Sequence, residues 1–387
     1  MTPTDLPPLT LYVHIPFCVR KCPYCDFHSI ALPEIPERRY RETVQQELRW
    51  RRQLSATDGR PLQAVFFGGG TPSMVEPSTI EGILQTIADH WSLVADCEIT
   101  LEANPESATL DKMRAWRQAG VQRLSLGIQA FDEARLQFLG RPHGLEEARQ
   151  AIRHAQRVDF AALNLDLIYA TPGQTVAQWR QELAEAMEWA PPHLSCYQLS
   201  VEPGTPFFAR QGAWPPLAEE QELALFQQTR QQLAQGGWRA YETSNFAQPG
   251  FACRHNSNYW SFGDYLGVGS GAHGKWTAAD GGIWRSENPP AVADYLTRMA
   301  GAPPAERMGR LLEPAEAGRE VLLMGLRHAA GVERALYRRL TGFDLLERHA
   351  ELLRTWQGEG WVCVDAERVC LTERGIPLTD SLLLALW

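Results

Sequence analysis

Three cysteines, Cys18, Cys22 and Cys25, stand close together in LYVHIPFCVRKCPYCDF, residues 11–27, with CxxxCxxC spacing. A strand-like run, Leu9 to Ile15, delivers the chain into Pro16, and the cysteines follow in a loop too short and irregular to pack a core. Such a loop can wrap an iron–sulfur cluster. A 4Fe-4S cluster usually takes four thiolates, so three from one loop leave one iron free to bind a substrate. A structural zinc site normally wants four protein ligands. No nearby CxxC or HxxxH pair completes one here, although His14 or His28 could supply the fourth ligand. Disulfides suit the chain less, because it shows no secretory signal and cytosolic thiols stay reduced. Unliganded burial is the remaining option, and a loop containing Pro, Lys and Arg is a poor place for it.

CxxxCxxC with Tyr24 just before the third cysteine resembles the cluster loop of the radical S-adenosylmethionine (SAM) superfamily. The wording YVHIPFC resembles one branch of it, the oxygen-independent coproporphyrinogen III dehydrogenases and the HemW-type heme chaperones. The resemblance runs through nearly the whole chain. It implies a 4Fe-4S cluster on Cys18, Cys22 and Cys25, whose open iron chelates the amino and carboxylate groups of SAM.

The elements that must position this loop read as βα units. From Leu9 to about Ala247, short apolar, β-branched runs alternate with longer amphipathic ones, the signature of a parallel sheet. The strand candidates are TLYVHI, AVFFGGG, CEITLEAN, RLSLGIQ, LNLDLIYA and HLSCYQLSV. Helical stretches lie between and after them, at 36–54, 77–91, 109–119, 145–157, 175–189 and 218–235. Six units predict an incomplete, TIM-like (β/α)6 barrel, which is also the fold the resemblance implies. Ligands collect at the carboxyl ends of such strands.

Those ends carry the next candidates. The second strand runs into Gly68-Gly69-Gly70-Thr71-Pro72, where glycines admit a ligand close to the backbone and leave N–H groups free to bind it. Taken alone this is as well read as a tight turn. Downstream of the cluster loop it matches the GGGTP that, by the resemblance, receives the SAM amino group. Glu102 ends the third strand, Gln129 the fourth, and Asp166 lies on the fifth. Singly each could be a helix cap or a solvated turn. The resemblance assigns SAM contacts to Glu102, Gln129, Asp166 and Arg141 of LGRPH. Tyr12 and Tyr24 match positions lining the SAM site, and Gln198 and His273 match more loosely. A carboxylate or amide can hold ribose hydroxyls, and an arginine can grip a carboxylate.

Residues 248–276 are rich in glycine and aromatics without a clear period, and long irregular segments of this kind are usually functional. They contain His255-Asn256-x-x-Tyr259-Trp260, two residues after Cys253. A lone histidine is more often a structural hydrogen-bonding group than a ligand. The resemblance shifts that balance, because HNxxYW is a motif of the HemW branch associated there with heme binding. A porphyrin needs an axial imidazole or thiolate and flat apolar surface, which His255 or Cys253, with Tyr259 and Trp260, could provide. Arg254 is the expected cation for the propionates. Prolines and glycines break residues 277–312 into a connector with one helix, Ala291 to Met299. Helices followed by a small hairpin then read as winged-helix-like, with Cys363 and Cys370 as core residues. The expected division is a barrel at 1–247, the aromatic segment and connector at 248–312, and a small, mainly helical C-terminal domain at 313–387.

Composition bounds the function. A content of 44% hydrophobic and 21% charged residues is that of an ordinary globular chain. The formal charge of −9 argues against a nucleic-acid partner, which needs a basic surface. No apolar run reaches membrane-span length and the start, MTPTDLPPL, lacks a signal peptide's segments, so a cytoplasmic protein is expected.

Two functions compete under the resemblance. One is a dehydrogenase that uses a SAM-derived radical to oxidatively decarboxylate coproporphyrinogen III. The other is a carrier that keeps the SAM cluster, binds heme and passes it to apoproteins, among them membrane respiratory enzymes. The dehydrogenases continue their motif as CxxxCxxCxC, where Phe27 stands here, and have a longer extension before the position of Tyr12. HNxxYW also favours the carrier.

Overall fold

The computed structural model describes residues 6–54, 57, 59–301 and 309–386. Strand β1 (Leu9–Ile15) shows how the sheet is built. Leu9, Leu11, Val13 and Ile15 are buried in the main core, while Thr10, Tyr12 and His14 alternate with them on the opposite face. The same two-residue rhythm runs through β2 (Leu62–Gly69), β3 (Leu93–Ala103), β4 (Arg123–Gln129), β5 (Ala162–Tyr169) and β6 (His193–Gln198). Each strand pairs in parallel with the next.

Helices α1 (Glu37–Arg51), α2 (Pro77–His90), α3 (Leu110–Gln118), α4 (Glu133–Phe138), α5 (Leu145–Val158) and α6 (Val176–Glu188) fill the crossovers. The short α7 (Pro206–Ala209) and then α8 (Glu219–Gln235) follow β6. Five of the crossover helices and α8 lie close to where the periodicity predicts them; α4, a single short turn-like helix capped by Asp132, was too brief to show a period. Trp116 and Trp179 are fully buried between helices and sheet.

The inner faces of the strands carry polar side chains. Thr100, Ser125, Asn164 and Ser195, from β3 to β6, surround one chamber of about 590 Å3 together with Tyr12 and Phe66 from β1 and β2. Side chains from six successive strands meet around one space only if the sheet curls, so the expected partial barrel is what forms.

The sheet does not stop at six strands. Beyond β6 lie β8 (Asn245–Ala247) and β7 (Arg239–Ala240), both in antiparallel pairings. Helix α9 (Arg254–Trp260) follows, and β9 (Asp264–Val268) then pairs in parallel with the free side of β1. Strands β10 (His273–Thr277), β11 (Ile283–Glu287) and β12 (Arg310–Leu311) extend that side antiparallel, with α10 (Val292–Ala300) packed on α1. The expected separation at 247 is therefore corrected, because much of 248–312 belongs to the main sheet. Its strands are short and flanked by glycine, and the partner of β9 is remote: Thr10 and Asp264 lie 254 residues apart. The predicted break at Ala302–Pro304 and the opening MTPTD lie outside the described residues.

Helices α11 (Pro314–Gly325), α12 (Arg334–Thr341), α13 (Leu345–Arg348), α14 (Ala350–Gly358) and α15 (Thr379–Ala385) enclose a second core with Val321, Tyr337, Trp356 and Leu382. Strands β13 (Val332–Glu333), β14 (Val362–Val364) and β15 (Arg368–Leu371) form its small sheet, in the order β13-β15-β14. This is the winged-helix-like unit anticipated. Cys363 and Cys370 do not sit in its core, however: Cys363 is exposed and Cys370 half-buried.

Buried charges lock the added strands in place. Asp264 is fully buried and accepts hydrogen bonds from Lys275 Nζ (2.8 Å), Arg60 (2.8 Å) and both the hydroxyl and backbone N–H of Thr277 (2.9 Å each). Glu47 of α1 likewise accepts from Tyr295 of α10 (2.9 Å) and from the backbone of Gly269 (3.0 Å). Removing one member of such a cluster leaves uncompensated charge. The D264A variant is expected to lose about 3–5 kcal/mol of stability, read as a lower midpoint in chemical denaturation; an unchanged midpoint would contradict this role.

Candidate functional site

The cysteine loop leaves β1 at Pro16 and is pinned at both ends. Cys18 N–H donates to the Ile30 carbonyl (3.0 Å), Ile30 N–H to Pro16 (2.7 Å), and Cys25 N–H to Cys22 (3.1 Å). Arg20 reaches the Gly140 carbonyl (2.7 Å) and Lys21 the Phe27 carbonyl (2.9 Å), so both cations brace the backbone. All three thiols line one cavity of about 320 Å3 at the carboxyl ends of the strands. Burial raises the Cys18 and Cys25 thiols above their ordinary range.

Among the described residues, no three of His, Cys, Asp and Glu are gathered tightly enough to hold a single metal ion. Neither candidate fourth zinc ligand is offered to the thiols. His14 accepts from the Tyr12 hydroxyl at Nδ1 (3.0 Å) and donates from Nε2 to the His28 carbonyl (2.8 Å). Burial accordingly drops its pKa to about 4. His28 packs over Gly271 and is not part of the cavity wall. Three thiols spread around a cavity suit a cluster wider than one ion.

A chain of side chains connects the thiols across the barrel mouth. Thr71 donates to Cys18 Sγ (3.4 Å), and Asn104 Nδ2 donates to the Thr71 hydroxyl (3.0 Å). Arg141 donates to Asn104 Oδ1 (2.7 Å), the Gly127 carbonyl (3.1 Å), Cys22 Sγ (3.5 Å) and the Tyr24 hydroxyl (3.4 Å). Arg141 Nε is buried without a partner, a donor still to be satisfied. Behind Arg141, His143 bridges Glu106 (3.2 Å) and the Ile128 carbonyl (3.1 Å). Asn104 and His143 were missed as site residues, though both sit inside motifs the sequence singles out, EANP and LGRPH.

Glu102, Gln129 and Asp166 face the same cavity, as do Gly69 and Gly70. Gly69 has a φ of +116°, and a Cβ there would strike the His14 ring at 2.5 Å; one on Gly70 would lie 2.7 Å from the Pro16 carbonyl. The glycines thus let the β2 end lie against the cluster loop. Gln129 also takes a left-handed φ of 69°, costly for a non-glycine residue, at a register shift between β4 and β5. Asp166 accepts from Ser125 and Asn164, each at 2.8 Å. Glu102 accepts from the Gly69 N–H (3.2 Å). Burial, and then the nearby Asp166 charge, raise its pKa to about 8. Two crowded carboxylates favour a cationic guest.

Tyr24 lies in this cavity, but Tyr12 belongs to the inner chamber, stacked on Phe66 and His255. Gln198 lines the cavity and donates to Glu222 (3.1 Å). His273 lies in a different groove, with Tyr259 and Arg285.

The chamber lies beside the cavity and shares Phe27, Glu102, Ser125, Asp166 and Tyr197 with it. Cys253, His255, Tyr259 and Trp260 all reach its wall. His255 rides on α9 with Nδ1 3.1 Å from the Thr10 hydroxyl. That hydroxyl faces the Asp264 carbonyl as its own acceptor (3.5 Å), so it receives the Nδ1 proton and leaves Nε2 for a ligand. Burial lowers the His255 pKa to about 4, and the ring is neutral. Burial pushes the Cys253 thiol up to about 12, which keeps it protonated and a poor ligand. Arg254 is corrected: it points away, to Asp96 Oδ2 (2.5 Å) and the Asp96 carbonyl (2.8 Å). Two guanidinium groups reach the chamber wall, Arg327, which pairs with Asp380 (2.5 Å), and Arg123, which lies 3.7 Å from Glu98 and whose buried Nη2 has no partner.

A curled sheet of parallel βα units with three thiols at its mouth is the construction of a radical SAM protein, and residues 12–186 match the model of the Radical SAM superfamily. Residues 312–378 match the HemN C-terminal domain. The heme chaperone HemW of Escherichia coli (strain K12) is 43% identical over 284 residues, spanning 73% of this chain and 74% of its own. The mitochondrial radical S-adenosyl methionine domain-containing protein 1 of Bos taurus is 36% identical over 385 residues, 97% of this chain and 86% of its own. The chain belongs to the HemW branch of the radical SAM superfamily. Its fold matches the solved coproporphyrinogen III oxidase (HemN) of Escherichia coli with a TM-score of 0.80 at 24% identity, over 98% of this chain and 90% of that one.

The superfamily uses a 4Fe-4S cluster and SAM, and the residues present fit both. Thiol donors, unsatisfied Arg141 Nε and paired carboxylates meet the needs of a cluster and of a cation bearing its own carboxylate. Replacing any one of Cys18, Cys22 and Cys25 with Ala is expected to abolish cluster assembly in anaerobic reconstitution, measured by iron content and visible absorbance. A full cluster in all three variants would refute the ligand set. With its pKa near 8, Glu102 is protonated at neutral pH and must shed that proton to meet a cation. SAM binding to cluster-loaded protein at pH 7 should therefore release a proton, seen in calorimetry as a dependence on buffer ionisation heat that E102Q removes.

Proposed function

We propose that this chain is a heme chaperone: it binds heme in the inner chamber and passes it to apoproteins. In this reading Cys18, Cys22 and Cys25 hold the 4Fe-4S cluster. SAM lies against Gly69, Gly70, Thr71, Glu102, Gln129, Arg141 and Asp166. The observation that carries the proposal is His255, a neutral imidazole whose tautomer Thr10 fixes and whose ring borders a chamber walled by Tyr12, Phe66, Tyr259 and Trp260. A ligand nitrogen oriented by a hydrogen bond on its other side is how proteins prepare an axial donor. A chamber of about 590 Å3 is of cofactor size. Arg123 offers the cation that a propionate needs. Relatives named heme chaperones support the assignment.

The dehydrogenase reading has the same fold behind it and the same cluster loop. Phe27, where a further cysteine would continue the motif, is 66% exposed and lies at the junction of both cavities. A ring there narrows the space between SAM and any guest without contributing a sulfur ligand. The proposal further places the chain in the cytoplasm, with heme acceptors among respiratory enzymes; no helix among the described residues is long and apolar enough to cross a membrane.

One reconstituted sample tests both readings. Heme titration followed by absorbance should saturate, and H255A should weaken binding at least tenfold while retaining the cluster. Coproporphyrinogen incubated with SAM and a reductant should yield no protoporphyrinogen. Product formation would return the chain to the enzymes, and unaltered heme affinity in H255A would remove the proposed ligand.

A further inference from the structure

Two cysteines outside the barrel stand in a relation that neither the cluster nor the chamber uses. Cys363 of β14 and Cys370 of β15 are direct cross-strand partners. Hydrogen bonds two residues away on either side, Asp365 N–H to Arg368 (3.0 Å) and Thr372 N–H to Trp361 (2.9 Å), place the pair at a hydrogen-bonded position of the ladder. Cα atoms so placed are about 5.5 Å apart, inside the window that a disulfide spans. The Cys370 thiol donates to the Cys363 carbonyl (3.7 Å).

The pair is also reachable. Val362, Val364, Val369 and Leu371 turn inward to the second core, which leaves the cysteines on the outer face. On the third strand's side, Gly331 adjoins Cys370, and a Cβ there would lie 2.6 Å from the Cys370 Cβ. Glycine therefore leaves the row uncovered. By contrast Cys97, Cys196 and Cys253 are all buried, and Cys18, Cys22 and Cys25 face the cluster cavity.

We propose that Cys363 and Cys370 form a reversible disulfide that closes the β14–β15 hairpin when the thiol pool turns oxidising. With glutathione disulfide as oxidant, the exposed Cys363 thiolate attacks one glutathione sulfur, and the S–S bond breaks to release one glutathione thiolate. The Cys370 thiolate then attacks the Cys363 sulfur and displaces the second glutathione. One protein S–S bond forms and two glutathione thiols take up the two electrons and the two thiol protons. Both sulfurs lie on one face of the hairpin; Cβ atoms at a hydrogen-bonded pair stand about 5 Å apart and a disulfide takes about 4 Å, so closure draws the two strands together locally. In a reducing cytosol the pair rests as dithiol.

The test uses cluster-loaded protein, so that Cys18, Cys22 and Cys25 are occupied, incubated anaerobically with glutathione disulfide. Trypsin cuts after Arg368, between the two cysteines, so a disulfide joins peptide 355–368 to peptide 369–374. The expected result is that joined species, two hydrogen atoms lighter than the separate thiol peptides together, and separated again by dithiothreitol. The C370S variant should instead carry one glutathione on Cys363. Unlinked peptides in the wild-type chain, whether free thiols or each bearing glutathione, would overturn the proposal.

Discussion

Arg141 is largely enclosed by groups drawn from three separate stretches of chain: Cys22 and Tyr24 of the cluster loop, Asn104 after β3, and the backbone of β4. A guanidinium is charged at any ordinary pH and is costly to bury unless its donors are met. The loop, the β3 end and the β4 end must therefore converge for Arg141 to be tolerated at all. The same convergence brings the three thiols, Glu102 and Asp166 around one cavity. Asn104 extends the constraint to Thr71 and, through it, to Cys18, so two of the three sulfur donors are tied to one cation.

What could be seen in the sequence follows from how local each signal is. Strands β1 to β6 and most of their helices have periods long enough to read, and the site residues at strand ends carry distinctive neighbours such as GGGTP and LGRPH. Strands β9 to β12 escaped because each spans at most five residues and the set is anchored on β1, at the opposite end of the chain, with Asp264 meeting Arg60 and Thr10. Arg254 was misplaced for a related reason. Adjacency to His255 says nothing of direction on a short helix, and neighbouring side chains on a helix diverge by about 100°, so Arg254 turns out to Asp96 while His255 turns in.

The polar inner rows were legible but unread. In TLYVHI, RLSLGIQ, LNLDLIY and HLSCYQ the polar residues fall at every second position of otherwise apolar strands. A simple sandwich would face such rows to water. Here they enclose a hydrogen-bonded lattice in which Asn164 donates to the Ser125 hydroxyl (2.7 Å) and the Ser195 hydroxyl donates to Asn245 (2.7 Å). Satisfied donors and acceptors let a polar interior stay folded around open space. That is why the barrel can hold two adjoining compartments, rather than a packed hydrophobic plug.

Strand β1 is common to both compartments. Thr10, near its beginning, steadies the imidazole, and its far end passes through Pro16 directly into the thiol loop. Hydrogen-bonded on both flanks, to β2 and β9, it acts as a beam with one load suspended at each end. The imidazole and the sulfur donors therefore share one support, and a substitution that displaces β1 would shift both.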